Sequence, residues 1–157
     1  MPQPLTHDFE KLLVRRLDGL TLQCELHPSE HTREHGYRAN FSGILCANLP
    51  NQRMTVWLPP CYASGQHRYP VVYMHDGHNL FARKATNPEK TWAADHALLQ
   101  GVRAGLIQPH IIVGLWGSGF DRNRQYLPQW VYQHAPDALR RTITARTGSK
   151  LLSDAYL

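Results

Sequence analysis

The sequence predicts an α/β fold in which antiparallel strands lead into a parallel β-α-β unit. The first half contains short segments of alternating or β-branched residues between turn residues, which is typical of antiparallel strands. The second half contains two apolar runs, at 70–75 and 110–116, on either side of a segment with helical periodicity. Strand, helix and strand joined by short connections form a right-handed crossover, so these two strands are expected to be parallel neighbours.

The strands of the first half are predicted from alternation and from the residues that interrupt it. Residues 9–26 begin with a helix-like pattern and end as a short alternating strand. Residues 37–47 and 51–58 are predicted as neighbouring antiparallel strands. The dipeptide Pro59-Pro60 ends the second of them, because proline cannot donate a hydrogen bond to a sheet ladder.

In the second half, the run at 70–75 is nearly continuous, as expected of a strand that is buried on both faces. The next segment, 88–104, is predicted as a helix: Asn87 is a suitable cap and Pro88 suits the first helical position. Gly105 suits the left-handed residue just past the helix end. The helix connects the two strands of the β-α-β unit.

Composition and charge exclude several classes of protein. The 157 residues are 42% hydrophobic and 18% charged, which is sufficient for one core and atypical of a disordered chain. No stretch approaches the ~18 apolar residues of a membrane helix, and the N-terminus lacks the apolar core of a signal peptide. We therefore expect a cytoplasmic protein with no membrane association. The net charge of +5 is not arranged as a basic stripe, so no nucleic-acid partner is expected.

Both parallel strands are followed by loops of glycine and small polar residues, at 75–79 and 117–121. Ligands of open α/β sheets bind at the carboxyl ends of parallel strands, so these loops are expected to lie close together and form a site. Gly77 allows a sharp turn after its strand, which would direct the next backbone N–H groups outward. Such groups are suited to stabilising an oxyanion in acyl transfer.

Five segments in order, VWLPPCY, YPVVYMHDGHNLF, TWAADHAL, IIVGL and RNRQYLPQW, resemble the "Putative esterase" family of α/β-hydrolases. That family includes enterochelin esterases, esterase D, feruloyl esterases and the antigen 85 mycolyltransferases. The resemblance implies a serine carboxylic ester hydrolase that acts on a small-molecule ester without a cofactor or metal. It covers roughly residues 51–157.

The resemblance also implies roles for individual residues. The residue after Asp-Gly supplies an oxyanion-hole N–H in the family, and here that residue is His78, acting through its backbone. The residues expected to brace the loop are Asp76, Gly77 and Asn79. Those expected to shape a substrate pocket are Trp116, Arg122, Arg124, Tyr126 and Trp130.

The sequence lacks the nucleophile that this chemistry requires. No G-x-S-x-G elbow is present, and Ser118, in WGSGF, follows the wrong strand. Residues 149–157 begin an apolar helix of the kind that precedes the nucleophile strand in the family. We therefore expect an N-terminal extension at 1–36 and, at 37–157, an incomplete α/β-hydrolase domain that is inactive alone.

Two classes of function stay open: a fragment of an ester hydrolase, and a non-catalytic remnant or binding module that keeps a strand-end pocket. The spacing of His27, His31 and His35 is compatible with a metal site, but its polar, proline-containing context favours a loop. The three cysteines, Cys24, Cys46 and Cys61, are an odd number without close spacing, so reduced thiols are expected.

Overall fold

The structure, a computed structural model, describes residues 23–26, 35–45, 49, 51–64, 68–81, 91–117, 121–148 and 151–156. They form two compact units. The first comprises the described residues of Met1–Ile44 and Arg53–Trp116, and the second comprises those of Leu45–Gln52 and Gly117–Leu157.

The first unit is built on a mixed sheet. Within the described residues it has five strands: β1 (Gln23–Leu26), β2 (Tyr37–Ile44), β3 (Gln52–Leu58), β4 (Val71–Met74) and β5 (Ile111–Trp116). Their order in the sheet is β1-β2-β3-β5-β4. β1 is antiparallel to β2, and β3 is antiparallel to β5. β4 is parallel to β5, which confirms the predicted pair and the mixed α/β class.

One face of the sheet is covered by helix α1 (Ala94–Arg103), the crossover between the two parallel strands. Leu99 of this helix is buried and packs in one cluster with Trp57 of β3 and Ile112 of β5. The cluster also contains Leu80, which follows β4. Burial of a large apolar side chain stabilises by about 1.5–3 kcal/mol, so this cluster fixes the helix on the sheet.

The beginning of α1 differs from the prediction. Asn87 and Pro88 lie outside the described residues, but residues 91–93 are not helical and the helix begins at Ala94. Ala93 has a left-handed φ of 47°, and the N–H of Ala94 donates to the carbonyl of Leu80 at 2.8 Å. This hydrogen bond to the segment after β4 takes the place of a cap. The predicted helix end is confirmed, since Gly105 has a φ of 70°.

The expected burial of β4 on both faces is wrong. Val71 is 42% exposed and Tyr73 is 70% exposed. Among the described strands, β4 is the last in the sheet order and has β5 as its neighbour on one side. Met74, on the opposite face, packs against the cluster beneath α1.

The turn after β4 lies directly against β5, because glycines occupy the point of contact. Gly77 begins a short 3₁₀ helix, Gly77–Asn79, and is buried. A Cβ on Gly77 would lie 2.5 Å from the carbonyl oxygen of Gly114 and 2.6 Å from Cδ1 of Trp116. A Cβ on Gly114 would lie 2.7 Å from Cδ1 of Leu80. Any larger residue at either position would separate the turn from the strand.

The predicted reason for Gly77 therefore needs correction. The sharp reversal after β4 is made by Asp76, which has a left-handed φ of 56° and ψ of 41°. Asp tolerates this region better than most non-glycine residues do. Gly77 is required for the close approach of two backbones instead.

The second unit contains four helices within its described residues: α2 (Arg122–Tyr126), α3 (Gln129–His134), α4 (Asp137–Thr147) and α5 (Ser153–Tyr156). Prolines precede α3 and α4, in the extended conformation that suits a helix start. The Tyr132 hydroxyl lies 2.8 Å from the Thr144 hydroxyl, which links these two helices. The side chain of Asp137 accepts a hydrogen bond from Arg140 and so raises the pKa of Arg140.

The predicted C-terminal helix over 149–157 is found only as α5. Residues 149, 150 and 157 of this segment lie outside the described residues. Leu152 is buried, and its N–H donates to the carbonyl of Arg124 at 2.9 Å, which attaches the start of α5 to α2.

Within the described ranges, none of the helices combines the length and apolar character needed to cross a membrane.

The close contact between Gly77 and Gly114 predicts a clear effect of substitution. Gly77→Ala is expected to lower the free energy of unfolding by about 1–3 kcal/mol, because the new Cβ meets backbone atoms and a bonded indole. Urea unfolding followed by circular dichroism measures the change.

The matched control is Gly101→Ala in α1. There a Cβ would meet only the end of the Ile107 side chain, which is 45% exposed and can move aside. Since alanine is favoured over glycine in a helix by up to about 1 kcal/mol, this variant is expected to be neutral or more stable. Equal destabilisation by the two substitutions would contradict the proposed contact.

Candidate functional site

The candidate site lies at the edge of the sheet where the parallel strands β4 and β5 end. Met74 is the register partner of Gly114, so both strands reach this edge together. β3 runs the opposite way and has Arg53, near its beginning, paired with Trp116. The 3₁₀ turn, Trp116 and Arg53 therefore belong to the same edge, which is where ligands bind in open α/β sheets.

Two backbone N–H groups of the turn take no part in the hydrogen bonds within the turn. The N–H of Asn79 donates to the carbonyl of Asp76 at 2.7 Å, which is the first hydrogen bond of the turn. The N–H groups of Gly77 and His78 precede it and have no acceptor inside the turn, as at the start of any helix. Two successive backbone donors in a rigid turn are the arrangement that an oxyanion hole uses.

The turn is held on its other side by the segment before α1. The carbonyl of Asn79 accepts a hydrogen bond from the N–H of Trp92 at 2.8 Å. Asp76 is only 6% exposed, so the turn is anchored by a buried residue at its beginning and by a backbone hydrogen bond at its end.

Trp116 is fixed by a chain of hydrogen bonds across three strands. Its Nε1–H donates to Oγ1 of Thr55 at 2.9 Å, and the Thr55 hydroxyl donates to Oδ1 of Asn40 at 2.7 Å. Thr55 is 1% exposed. Because a buried indole N–H needs an acceptor, this chain determines which way the indole faces.

Two further side chains contact the indole. The His78 ring centroid lies 5.9 Å from that of Trp116, with the rings inclined at 60°. The guanidinium carbon of Arg53 lies 5.9 Å from the indole centroid, within the range of a cation–π interaction. The sequence alone does not indicate Arg53, Thr55 or Asn40 as neighbours of Trp116. Alternation places Arg53, Thr55 and Trp57 on one face of β3, but only the register of β3 with β5 shows that Arg53 lies opposite Trp116.

The other predicted pocket residues lie in the second unit. The guanidinium of Arg122 stacks 4.8 Å above the ring of Tyr126, which also lies 5.5 Å from the Tyr156 ring. Arg124 pairs with Asp121 at 2.7 Å, and Trp130 is 66% exposed on α3. These contacts limit Arg122 and Arg124 to defined positions and leave Trp130 available at the surface.

The predicted site residues thus form two sets. Asp76, Gly77, His78, Asn79 and Trp116 are brought together in the first unit. The arginines, Tyr126 and Trp130 belong to the second unit. Residues 118–120 lie outside the described residues, so the expected proximity of the loops at 75–79 and 117–121 stays a prediction, as does the role of His78 in an oxyanion hole.

The described residues offer little for a metal site. Among the described residues, no group of three or more His, Cys, Asp or Glu side chains is arranged to hold a metal ion. His27 and His31 lie outside those residues, whereas His35 is described and its ring is 6.0 Å from that of His96. Cys61 is an exposed thiol, and Cys46 lies outside the described residues.

Comparison with known proteins identifies the family. The model of the family described as "Putative esterase" matches residues 48–145, which include β3 to β5, the turn and most of the second unit. The chain belongs to this esterase family. No curated protein matches it significantly.

The chain is similar to solved structures of two feruloyl esterases. A ferulic acid esterase has 15% sequence identity and a TM-score of 0.40, covering 72% of this chain and 44% of its own. A serine-to-alanine mutant of the feruloyl esterase module from Clostridium thermocellum, complexed with sinapinate, has 16% identity and a TM-score of 0.42. The match covers 86% of this chain and 45% of that module. The chain therefore spans less than half the length of either structure.

The hydrogen-bond chain through Thr55 gives a prediction. Thr55→Val keeps the side-chain volume but leaves the indole N–H of Trp116 and the Asn40 oxygen without this partner. We expect a loss of about 1–3 kcal/mol in the free energy of unfolding, together with an upfield shift of the Trp116 indole proton in NMR spectra.

Thr142→Val on α4 is the control, since the exposed Thr142 hydroxyl donates only to the Ala138 carbonyl of its own helix. Its effect should stay within about 0.5 kcal/mol. An unchanged Trp116 indole resonance in the Thr55 variant would show that the hydrogen bond is absent in solution.

Proposed function

We propose that this chain supplies the oxyanion-hole side of a serine carboxylic ester hydrolase. The observation that carries the proposal is the family match over residues 48–145, because it includes the turn after β4. In this proposal the His78 backbone N–H donates to the oxyanion of the tetrahedral intermediate. Asp76, Gly77 and Asn79 hold that N–H in position.

The geometry of the turn supports this role. A donor contributes to catalysis when it is oriented before the reaction, since no energy is then spent on reorganising it. The buried Asp76 and the contact between Gly77 and Gly114 hold the turn against β5. One such donor lowers the barrier by about 3 kcal/mol.

The nucleophile, acid and catalytic histidine are proposed to come from sequence beyond these 157 residues. The chain contains no G-x-S-x-G motif, and Ser153, the buried serine of α5, is only 1% exposed. The Ser153 hydroxyl lies 3.5 Å from Oδ1 of Asp154, but its burial denies it access to an ester, and it lies in a short helix rather than on the strand-to-helix turn of a nucleophile. The chain alone is therefore proposed to be inactive.

The substrate is proposed to be a small-molecule ester. In the first unit, the proposed pocket residue is Trp116, beside the turn. In the second unit, the proposed pocket residues are Arg122, Arg124, Tyr126 and Trp130. The stacked pair of Arg122 and Tyr126 supplies a flat, cationic surface, and the exposed Trp130 supplies an aromatic one. Aromatic surfaces with a few polar groups are typical of small-molecule sites.

Activity of the chain alone is the first test. The purified 157-residue chain is expected to hydrolyse p-nitrophenyl acetate and butyrate no faster than the buffer does. It is also expected to show no labelling by a fluorophosphonate probe, which requires an activated serine. Stoichiometric labelling that disappears when one serine is replaced by alanine would overturn the assignment of the missing nucleophile.

The role of His78 is tested in a longer chain that continues this reading frame through a G-x-S-x-G motif. His78→Pro removes the backbone N–H, whereas His78→Ala removes the imidazole and keeps the N–H. We expect the proline variant to lose about 10²–10³ in kcat, and the alanine variant to stay within severalfold of the wild type.

The kcat values for p-nitrophenyl butyrate measure both effects, and circular dichroism verifies that each variant is folded. Equal losses in the two variants would show that the imidazole, and not the backbone, is required. The absence of any hydrolytic longer chain would favour the alternative of a non-catalytic binding module.

A further inference from the structure

Arg53 is an exposed arginine placed at the candidate site. It is paired with Trp116 across β3 and β5, at the edge where β4 and β5 end. It forms no ion pair with any residue that the structure describes, in contrast to Arg124 and Arg140, which pair with Asp121 and Asp137. The guanidinium carbon of Arg53 lies 5.9 Å from the centroid of the Trp116 indole.

A guanidinium that rests on an aromatic face keeps its hydrogen-bonding capacity. Arg is planar, and its five N–H donors project from the edge of the plane in a geometry that matches a carboxylate. A cation–π contact at 5.9 Å uses the charge of the group rather than its N–H donors, so it does not occupy the donors that a ligand would need. The contact also restricts the side chain, so less conformational entropy is lost when an anion binds.

The surface on which Arg53 rests is itself fixed. The indole of Trp116 donates to the Thr55 hydroxyl, and Thr55 is 1% exposed. The His78 imidazole lies 5.9 Å from the same indole. The acidic residue of the turn, Asp76, is only 6% exposed. An anion would therefore meet a guanidinium and an imidazole around one held indole.

We propose that Arg53 binds a carboxylate of the substrate, so that the substrates are esters that are themselves anions, such as monoesters of dicarboxylic acids. This inference rests on the proposed ester hydrolase function. In this arrangement the ester carbonyl approaches the N–H groups of Gly77 and His78 while the carboxylate is held by Arg53. A purely structural role, in which Arg53 only stabilises the strand pair through Trp116, predicts no ligand binding.

The test compares two esters that differ in charge. The chain is titrated with monomethyl glutarate, an anion, and with dimethyl glutarate, its neutral counterpart, while the indole N–H resonances are followed by NMR. Trp116→Phe assigns the Trp116 signal among the four tryptophans. We expect saturable movement of that signal with the monoester and none with the diester.

Variants locate the binding group. Arg53→Gln is expected to bind monomethyl glutarate about fivefold more weakly or worse, which corresponds to the loss of one exposed charged contact. Arg53→Lys keeps the charge without the fork and should lose less. Arg141→Gln removes the same charge from α4, where Arg141 is exposed, and should bind as the wild type does.

Two results would overturn the proposal: equal binding of both esters, or unchanged affinity in Arg53→Gln. If that variant does not fold, Arg53→Lys and the comparison of the two esters decide. The experiment needs no catalytic serine. Charge-selective binding would support the role of Arg53 even if the kcat test of His78 failed. Conversely, a positive kcat test without charge-selective binding would support the hydrolase function alone.

Discussion

The contact between the backbones of Gly77 and Gly114 is the constraint on which the candidate site depends. With no side chain between them, the turn after β4 lies against β5, and a Cβ on Gly77 would be only 2.5 Å from the Gly114 carbonyl oxygen. The left-handed Asp76 reverses the chain so that this contact is possible. The position of the backbone donors at Gly77 and His78 is therefore set by packing against a strand, as preorganised stabilisation of charge requires.

Trp116 connects this turn to the rest of the sheet. Its indole contacts the turn on one side and donates to the buried Thr55 hydroxyl, which in turn donates to Asn40. Strands β2, β3 and β5 are thus joined by side chains as well as by their backbone ladder. A buried polar chain of this kind favours one arrangement, because any other rotamer of Trp116 would leave a donor and an acceptor unsatisfied.

The sequence predicted the parts of the fold that depend on local pattern. Apolar runs at 70–75 and 110–116 predicted the parallel pair, and Gly105 predicted the helix end. The start of α1 was not predictable, because it is set by the hydrogen bond from Ala94 to Leu80, which lies far away in sequence. The exposure of Val71 and Tyr73 was also missed, since an apolar run does not tell which strand lies at the end of a sheet. The roles of Asp76 and Gly77 were also not predictable. Asp76 adopts the left-handed conformation, whereas Gly77 is needed because only a residue without a Cβ fits against Gly114.

Arg53 is not indicated by the sequence, whereas His78 is proposed from the family resemblance. That resemblance rests on the order of residues in one turn, where His78 follows Asp76 and Gly77, and the role of His78 stays a prediction. Arg53 precedes that turn by more than twenty residues and reaches the site only through the pairing of β3 with β5, which places it opposite Trp116. A backbone N–H donates in the same way whatever side chain its residue carries. It can therefore stabilise the oxyanion of any ester, but it does not select one ester over another. A charged side chain that is held on a neighbouring strand discriminates between ligands by their charge, and this is the role proposed for Arg53 beside Trp116.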